Sequence, residues 1–318
     1  GEARAEAWSR FVAATPIHLF TLKYSSMADD ASTGSAMTLA NQMKGLDSSA
    51  IDETWDHADE EQVPPSIMAG SQEEAALLQA LVAKLEESGA MAEWLSFKES
   101  TAFQDIPLLC LRGRKYQVDR AAASVPRLVE MMREYRVGSG VDESLQKTIK
   151  AGAAVYLGSK DAMGRGVVWL RLRNHDPKAQ PPAEFARSIA AVMLMALDDP
   201  EVQRLGIVIL HDMNGIRLKN MNPPAFKLIL SKVLPTLPIR VARVCIINPP
   251  WIIGKVVMPI VLAFVSKKIK SRIQIFHGPK GIAPSGVHGF VPPSSIPEEL
   301  GGEWHFDFDK WLASADAA

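Results

Sequence analysis

The sequence predicts an α/β protein with a mainly parallel sheet, preceded by a small all-α region. Three observations carry that expectation. GIVIL at 206–210 and VARVCIIN at 241–248 are short, β-branched and nearly uncharged, as in strands buried on both faces of a parallel sheet. Between them Pro223 and Pro224, followed by Phe226, Leu228, Ile229, Leu230, Val233 and Leu234, give a crossover helix. After the second strand, Trp251 to Val265 is apolar on nearly every side, broken only by Gly254, Lys255 and Ala263, and Lys267, Lys268, Lys270 and Arg272 follow at once. A helix apolar all round is buried or faces something other than water.

Composition bounds the rest. With 47% hydrophobic and 22% charged residues, 318 residues build a sizeable core in one large or two ordinary domains. The net charge of −1 hides an asymmetry: residues 1–105 hold 18 acids against 6 bases, and residues 206–280 hold 12 bases against Asp212 alone. An acidic segment and a basic surface result, the second suited to an anionic partner and the first to a protein partner or to the basic half itself. Cys110 and Cys245 both sit in apolar runs, which suits buried thiols and a reducing, cytoplasmic setting. The longest apolar run, Val256 to Val265, is ten residues and contains Pro259. That is about half of the ~20 residues a spanning helix needs, so no transmembrane helix is expected.

Taken in order, the chain starts with Gly, and its first methionine is Met27, which leaves the status of residues 1–26 open. FVAATPIHLFTL is interrupted by Pro16 and His18 with no cleavage site after it, so no signal peptide is expected. The block 1–70 is acidic and, from Met27, rich in Ala, Ser, Asp and Glu without periodicity, hence predicted disordered. Ser71 opens a helix with a capping-box pattern, carrying Leu77, Leu78, Leu81, Val82 and Leu85 on one side and ending by Gly89. A second helix follows from Leu108, a turn near Gly113, then a third with Val118, Ala121, Ala122, Val125, Leu128, Val129 and Met132 at helical spacing. This helical subdomain is assigned to 71–140, and the α/β domain to 141–318. Val155–Leu157 and Val167–Leu172 read as strands joined by the turn-rich SKDAMGRG. Pro181 and Pro182 open a helix through Leu197 with Phe185, Ile189, Val192, Met193 and Leu197 on one face. The two parallel strands, the apolar helix and the strand RIQIF complete the sheet, and the Gly- and Pro-rich stretch to Pro293 reads as loop.

Four segments, GIVILHDMNGI, VCIINPPWIIGKVV, FVSKKIKSRIQIFHG and IPEELGG, in this order and spacing, resemble the CRAL-TRIO lipid-binding domain family. The resemblance covers roughly Gln79 to Leu312, and Asp105 with Leu111-Arg112-Gly113-Arg114-Lys115-Tyr116 is similar to the family's text before the pocket. It implies a CRAL-TRIO fold: a sheet floor, a gate helix over an apolar cavity, and a small helical subdomain in front. Trp169, Ile209, His211 and Met213 are then candidates for the cavity floor from strand position. Trp251, Ile252, Ile253, Val256, Val257, Ile260, Val261 and Phe264 would form the gate, which otherwise reads simply as core. In members of the family, positions matching Arg240, Lys268 and Arg272, with an arginine of the Leu-Arg-x-Arg-Lys stretch, bind phosphoinositide phosphates. Arg112, Arg114, Arg240, Lys267, Lys268, Lys270 and Arg272 are therefore the membrane candidates, against a plain solvated face. Inositol-exchanging members carry a Glu before the Arg of Tyr-Pro-x-Arg; here the text is Leu237-Pro238-Ile239-Arg240, which argues against that form of exchange.

Catalytic readings fare worse. SKDAMGRG is not followed by Gly-Lys-Ser/Thr or by a helix, so it is a hairpin turn and not a phosphate loop. A cysteine phosphatase loop needs Arg six residues after the thiolate, where Cys110 has Tyr116 and Cys245 has Trp251. His211-Asp212 lacks a Gly-x-Ser-x-Gly elbow and a second histidine at ligand spacing. No catalytic residue, metal or cofactor is expected beyond a bound lipid. Nucleic acid is not expected either, since no aromatic ladder accompanies the basic patch. The roles that stay open are a lipid carrier at phosphoinositide-containing vesicle membranes, a lipid-sensing module that places a partner or attached enzyme there, and an unfamiliar enzyme around His211 and Asp212.

Overall fold

A computed structural model of the chain describes residues 66–251, 253–254, 258, 267–278 and 286–317. Of the block 1–70, expected to be disordered, residues 1–65 lie outside them. Helix α1 (Gln72–Glu87) starts where the Ser71 hydroxyl accepts the Glu74 amide at 3.1 Å. The Glu74 carboxylate, which a capping box would return to Ser71, instead accepts the Gly70 amide at 2.7 Å and the guanidinium of Arg112 at 2.7 and 2.8 Å. Gly89, at φ 78°, turns the chain into α2 (Ala90–Lys98), a helix the sequence reading did not separate. Asp105 caps α3 (Ile106–Gly113), and a turn through Lys115 and Tyr116 leads to α4 (Val118–Tyr135), whose Val125, Leu128 and Val129 are fully buried. Gly113 is required by contact: a Cβ there would lie 2.0 Å from the Pro238 carbonyl oxygen, so α3 can press on the segment entering the last central strand. Asp142 caps α5 (Glu143–Lys150) and also receives both terminal nitrogens of Arg187 at 2.9 and 2.7 Å.

Strands β1 (Ala154–Lys160) and β2 (Gly166–Arg171) pair antiparallel, and the turn between them is the expected hairpin. Asp161 organises it by accepting the amides of Met163 and Arg165 at 2.8 and 2.9 Å, a side-chain mimic of a backbone turn. Helix α6 (Pro182–Ala196) and the short α7 (Pro200–Leu205), capped by Asp199, lead to β3 (Ile207–Asp212), parallel to β2. Gly206, at φ 87°, precedes this strand where no side chain fits: a Cβ there would lie 2.3 Å from the Arg240 carbonyl oxygen. The crossover helix is present as α8 (Pro223–Leu228), capped by Asn222 and continued by a π turn over Ile229–Val233 into Leu234–Thr236. Pro235 has no N–H to return to the preceding turn, which fits the widening there. Strands β4 (Val241–Ile247) and β5 (Ile273–Phe276) add in parallel, with α9 (Lys267–Arg272) directly before β5. The sheet order is β1-β2-β3-β4-β5. Residues 286–317 form three short 3₁₀ turns and α10 (Phe308–Ala317).

The sheet divides the interior into two apolar cores. One runs continuously from Leu81 and Leu85 through α3, α4 and α6 to Val168, Ile209 and Ile246, so the all-α region shares its core with one face of the sheet. The other lies on the opposite face, where Val155, Val167, Trp169, Val208, Leu210, Cys245 and Ile247 are covered by Val287, Val291, Ile296 and Leu300.

Candidate functional site

Register decides which strand residues face which core. In β2–β3–β4–β5, Leu170, His211, Ile246 and Ile275 lie side by side in one row, and Val168, Ile209, Val244 and Ile273 form the next. Both rows face the helical side. Ile209 and Ile246 are buried there, but Leu170, His211, Val244, Ile273 and Ile275 are only partly so. Phe226, Leu228 and Leu230 of the crossover helix pack on the same core and are likewise partly exposed. A strip of incompletely covered apolar surface therefore runs across the middle of this face.

His211 is the single polar side chain of these two rows. Burial alone holds its pKa at about 4, well under the ordinary imidazole range, so the ring is neutral at physiological pH. Its Nε2 atom is buried and has no hydrogen-bond partner among the described residues. Met213, just past the strand end, is buried in the same core and donates its amide to Ile247 O at 2.9 Å. Ile209, His211 and Met213 are thus brought together on one side.

Trp169 is not with them, and that expectation is corrected. It pairs with Val155 and Leu210 on the opposite face, fully buried, with Phe306 edge-on at 6.1 Å and the Arg171 guanidinium 4.2 Å over its ring. Adjacent strand residues point to opposite faces, and strand position without register could not say which.

The same alternation removes the catalytic reading of His211 and Asp212. Asp212 is buried, forms an ion pair with Arg173, and accepts the Asn214 amide at 2.9 Å. It organises the turn Asp212–Gly215, and the neighbouring imidazole points away from it. Burial pushes both cysteine thiols up to about 12, so neither Cys110 nor Cys245 is a thiolate at neutral pH. Among the described residues no cluster of His, Cys, Asp or Glu is suited to hold a metal.

Of the gate residues, Ile252, Val256, Val257, Ile260, Val261 and Phe264 lie outside the described residues. Trp251 and Ile253 bracket what is seen: the first is 68% exposed and the second fully buried. Trp251 is the most exposed large apolar side chain among the described residues. No described helix is long and apolar enough to cross a membrane.

The basic candidates sort into two kinds. Arg112 is buried and committed to the Glu74 carboxylate, with Gln203 Oε1 at 2.8 Å, while Tyr116 donates to Glu74 at 2.9 Å. The guanidinium beside it holds the Glu74 carboxyl at about 2. Arg114 is buried, donating to Ser124 Oγ at 2.7 Å and towards the carbonyls of Pro235 and Thr236. Arg272 is buried and donates to Val241 O at 2.8 Å. These three side chains tie helices and strands together, and the expectation that they face a membrane is corrected. Arg240 is partly exposed and donates to Arg112 O at 2.7 Å; Lys270 is partly exposed on α9. The side chains of Lys267 and Lys268 lie outside the described residues.

Residues that sequence reasoning missed are the neighbours of His211: Leu170, Val244, Ile246 and Ile275. Period-two alternation from Ile209 and His211 would have reached Leu170 and Ile246 had the strand register been known.

Comparison with known proteins agrees with this architecture. Residues 150–302 match the model of the CRAL/TRIO domain. The mouse tyrosine-protein phosphatase non-receptor type 9 is 27% identical over 208 residues, 63% of this chain and 33% of that protein. Human alpha-tocopherol transfer protein-like is 30% identical over 209 residues, 64% of this chain and 60% of that protein. Human clavesin-2 is 23% identical over 199 residues, 60% of this chain and 59% of that protein. The chain thus spans a third of the phosphatase and about three fifths of the other two. Over residues 150–302 it belongs to the CRAL/TRIO domain family.

Proposed function

We propose that this chain binds a lipid on the helical side of its sheet and carries or presents it at membranes bearing anionic headgroups. Members of its family bind lipophilic ligands and transfer them. One observation carries the reading to this chain: the incompletely covered strip formed by Leu170, His211, Val244, Ile273 and Ile275 on the helical face of the sheet. Apolar surface left partly uncovered in a folded interior is a place for an apolar ligand.

Transfer needs no covalent chemistry. Each methylene moved between bilayer and pocket keeps a burial free energy of about 0.8 kcal/mol, so the net cost of extraction is small provided water is kept out. The apolar segment from Trp251 to Val265 is the cover in this reading. Its exposed Trp251 enters the bilayer interface, where tryptophan is favoured. Lys270 and Arg240, with the lysines of α9, meet anionic headgroups such as phosphoinositides, each contributing about 1 kcal/mol. Ile209 and Met213 belong to the floor beside His211. Vesicle membranes, the peripheral location and the whole-chain role belong to this reading, and a protein partner for the acidic amino-terminal block to a further experiment.

The test is native mass spectrometry with lipid extraction of the purified chain, followed by transfer between liposomes with and without phosphoinositide. A co-purified lipid that moves between vesicles, faster when phosphoinositide is present, supports the carrier. Tight vesicle binding by an empty protein that transfers nothing replaces it with a targeting module for a partner or attached enzyme.

A further inference from the structure

The floor of the proposed site contains one chemical anomaly. Leu170, Ile246 and Ile275 share a row with His211, and Val168, Ile209, Val244 and Ile273 form the row beneath, all apolar. A leucine or isoleucine at 211 would have completed the pattern. Instead there is an imidazole whose buried Nε2 has no hydrogen-bond partner among the described residues. Buried polar groups in folded proteins are almost always paired, and an exception calls for an explanation. His288 Nε2, beside the other core, is also buried without a partner among the described residues, whereas His175 is bound through Nδ1 to Gln180 at 2.6 Å, approached at Nε2 by Asn222 at 3.3 Å, and stacked on Phe185. His211 has no such cradle, and it stands where the apolar strip is open.

Resting on the reading of this face as a lipid site, we infer that His211 selects the ligand: the site takes a lipid with one neutral hydrogen-bonding group, a hydroxyl, on an otherwise apolar body. A neutral imidazole offers one donor and one acceptor nitrogen, and a hydroxyl can serve either. A pure hydrocarbon leaves the ring unpaired. A carboxylate would have to be buried without a cation, since the ring is uncharged and no other charged side chain lies in the two rows.

Hexadecanol, hexadecane and palmitate share chain length and differ only in the polar end, so they separate these cases. Binding of each to the delipidated full chain is measured by displacement of a fluorescent apolar dye, for the native chain, His211→Phe and His211→Gln. The native chain is expected to prefer hexadecanol over hexadecane by about tenfold, the worth of one buried hydrogen bond, and to bind palmitate weakest. His211→Phe brings the alcohol-to-alkane ratio to about one, and His211→Gln restores part of it. Equal binding of alcohol and alkane by the native chain, or an unchanged ratio in His211→Phe, overturns the selection while leaving an apolar site in place. Tightest binding of palmitate overturns it as well. No binding of any probe by native or variant chains removes the lipid site itself, and the selection with it.

Discussion

The two faces of the sheet are built from the same kinds of residue and finished differently. On the face beneath residues 286–317, Val167, Trp169, Val208, Leu210, Cys245 and Ile247 are all completely buried. On the helical face, one residue along each strand, Leu170, His211, Val244, Ile273 and Ile275 keep part of their surface. The closed face has a polar device of its own: Arg171 lies over Trp169 and within 5.6 Å of the Phe308 ring, with its Nε donating to Gly152 O at 3.0 Å. There the polar group is fully employed in holding the carboxy-terminal segment down. On the open face His211 Nε2 has no partner among the described residues, and on the closed face Trp169 Nε1 has none either, so it is closure that separates the two faces. The lesson is that apolar content does not tell the two faces apart; closure does.

The largest effect expected from breaking this comparison is on the closed face. Trp169→Ala should cost about 3–5 kcal/mol, the range for deleting a fully buried aromatic side chain. Urea unfolding followed by far-UV circular dichroism would register it as a lowered midpoint, with the alcohol-to-alkane preference of surviving folded protein unchanged. A shift in ligand preference would mean the two faces are not independent.

Next comes a pH effect confined to the open face. The His211 pKa is lowered to about 4 from 6.5 by burial. Below 6.5 the unfolded chain takes up a proton that the folded chain refuses, so stability is full above 6.5 and falls as pH drops towards 4. A pKa of about 4 in place of 6.5 sets the loss at up to about 3 kcal/mol. Glu74, held at about 2 by Arg112, contributes stability above its ordinary carboxyl range that is lost only as pH falls from about 4.5 towards 2. The two windows barely overlap. Chemical denaturation at pH 7, 5.5 and 4.5 should show a slope in the native chain that His211→Phe reduces, leaving the share of His175, whose pKa burial lowers as well; an equal slope in both would assign it elsewhere.

A third experiment places the same bulky residue on each face. Leu210→Trp overfills a closed core and should destabilise by about 1–3 kcal/mol. Val244→Trp, on the adjoining strand but facing the other way, should be tolerated within about 1 kcal/mol and abolish lipid uptake by occupying the strip. Thermal melts and lipid extraction of the two variants together decide the matter. If Val244→Trp melts as low as Leu210→Trp, the strip is ordinary core.

Much of this was legible in the sequence. The β-branched runs at 207–210 and 241–247, the paired prolines opening two helices, and the cap at Ser71 each announced their element, because each depends on local patterning. The family resemblance placed the sheet floor. What the sequence withheld was direction. Trp169 and His211 both sit in buried strands, and only the pairing of Trp169 with Leu210, and of Leu170 with His211, assigns them to opposite sides. The arginines were misjudged for a related reason. A charged side chain reads as surface in a one-dimensional text, yet Arg112 is drawn inward by Glu74, 38 residues away, and Arg114 by carbonyls 121 and 122 residues away. Partners that distant leave no local signal.

That sorting of the basic residues sets the smallest prediction, and it repeats the contrast between buried and exposed groups. Arg272 and Lys270 are two residues apart on α9, but the first is buried on Val241 O and the second reaches solvent. Removing an exposed cation near an anionic membrane costs about 1 kcal/mol of attraction, roughly a fivefold change in partitioning that salt should weaken. Lys270→Ala should therefore lower sedimentation with phosphoinositide-containing vesicles about fivefold at low salt, leave binding to neutral vesicles alone, and leave the melting temperature unchanged. Arg272→Ala should do the reverse, because it uncaps a buried carbonyl at the start of β4: the fold loses stability, and vesicle affinity of the folded fraction stays as it was. If Arg272→Ala instead selectively weakens phosphoinositide binding without a stability change, its guanidinium reaches the membrane in some other arrangement, and the inward assignment falls.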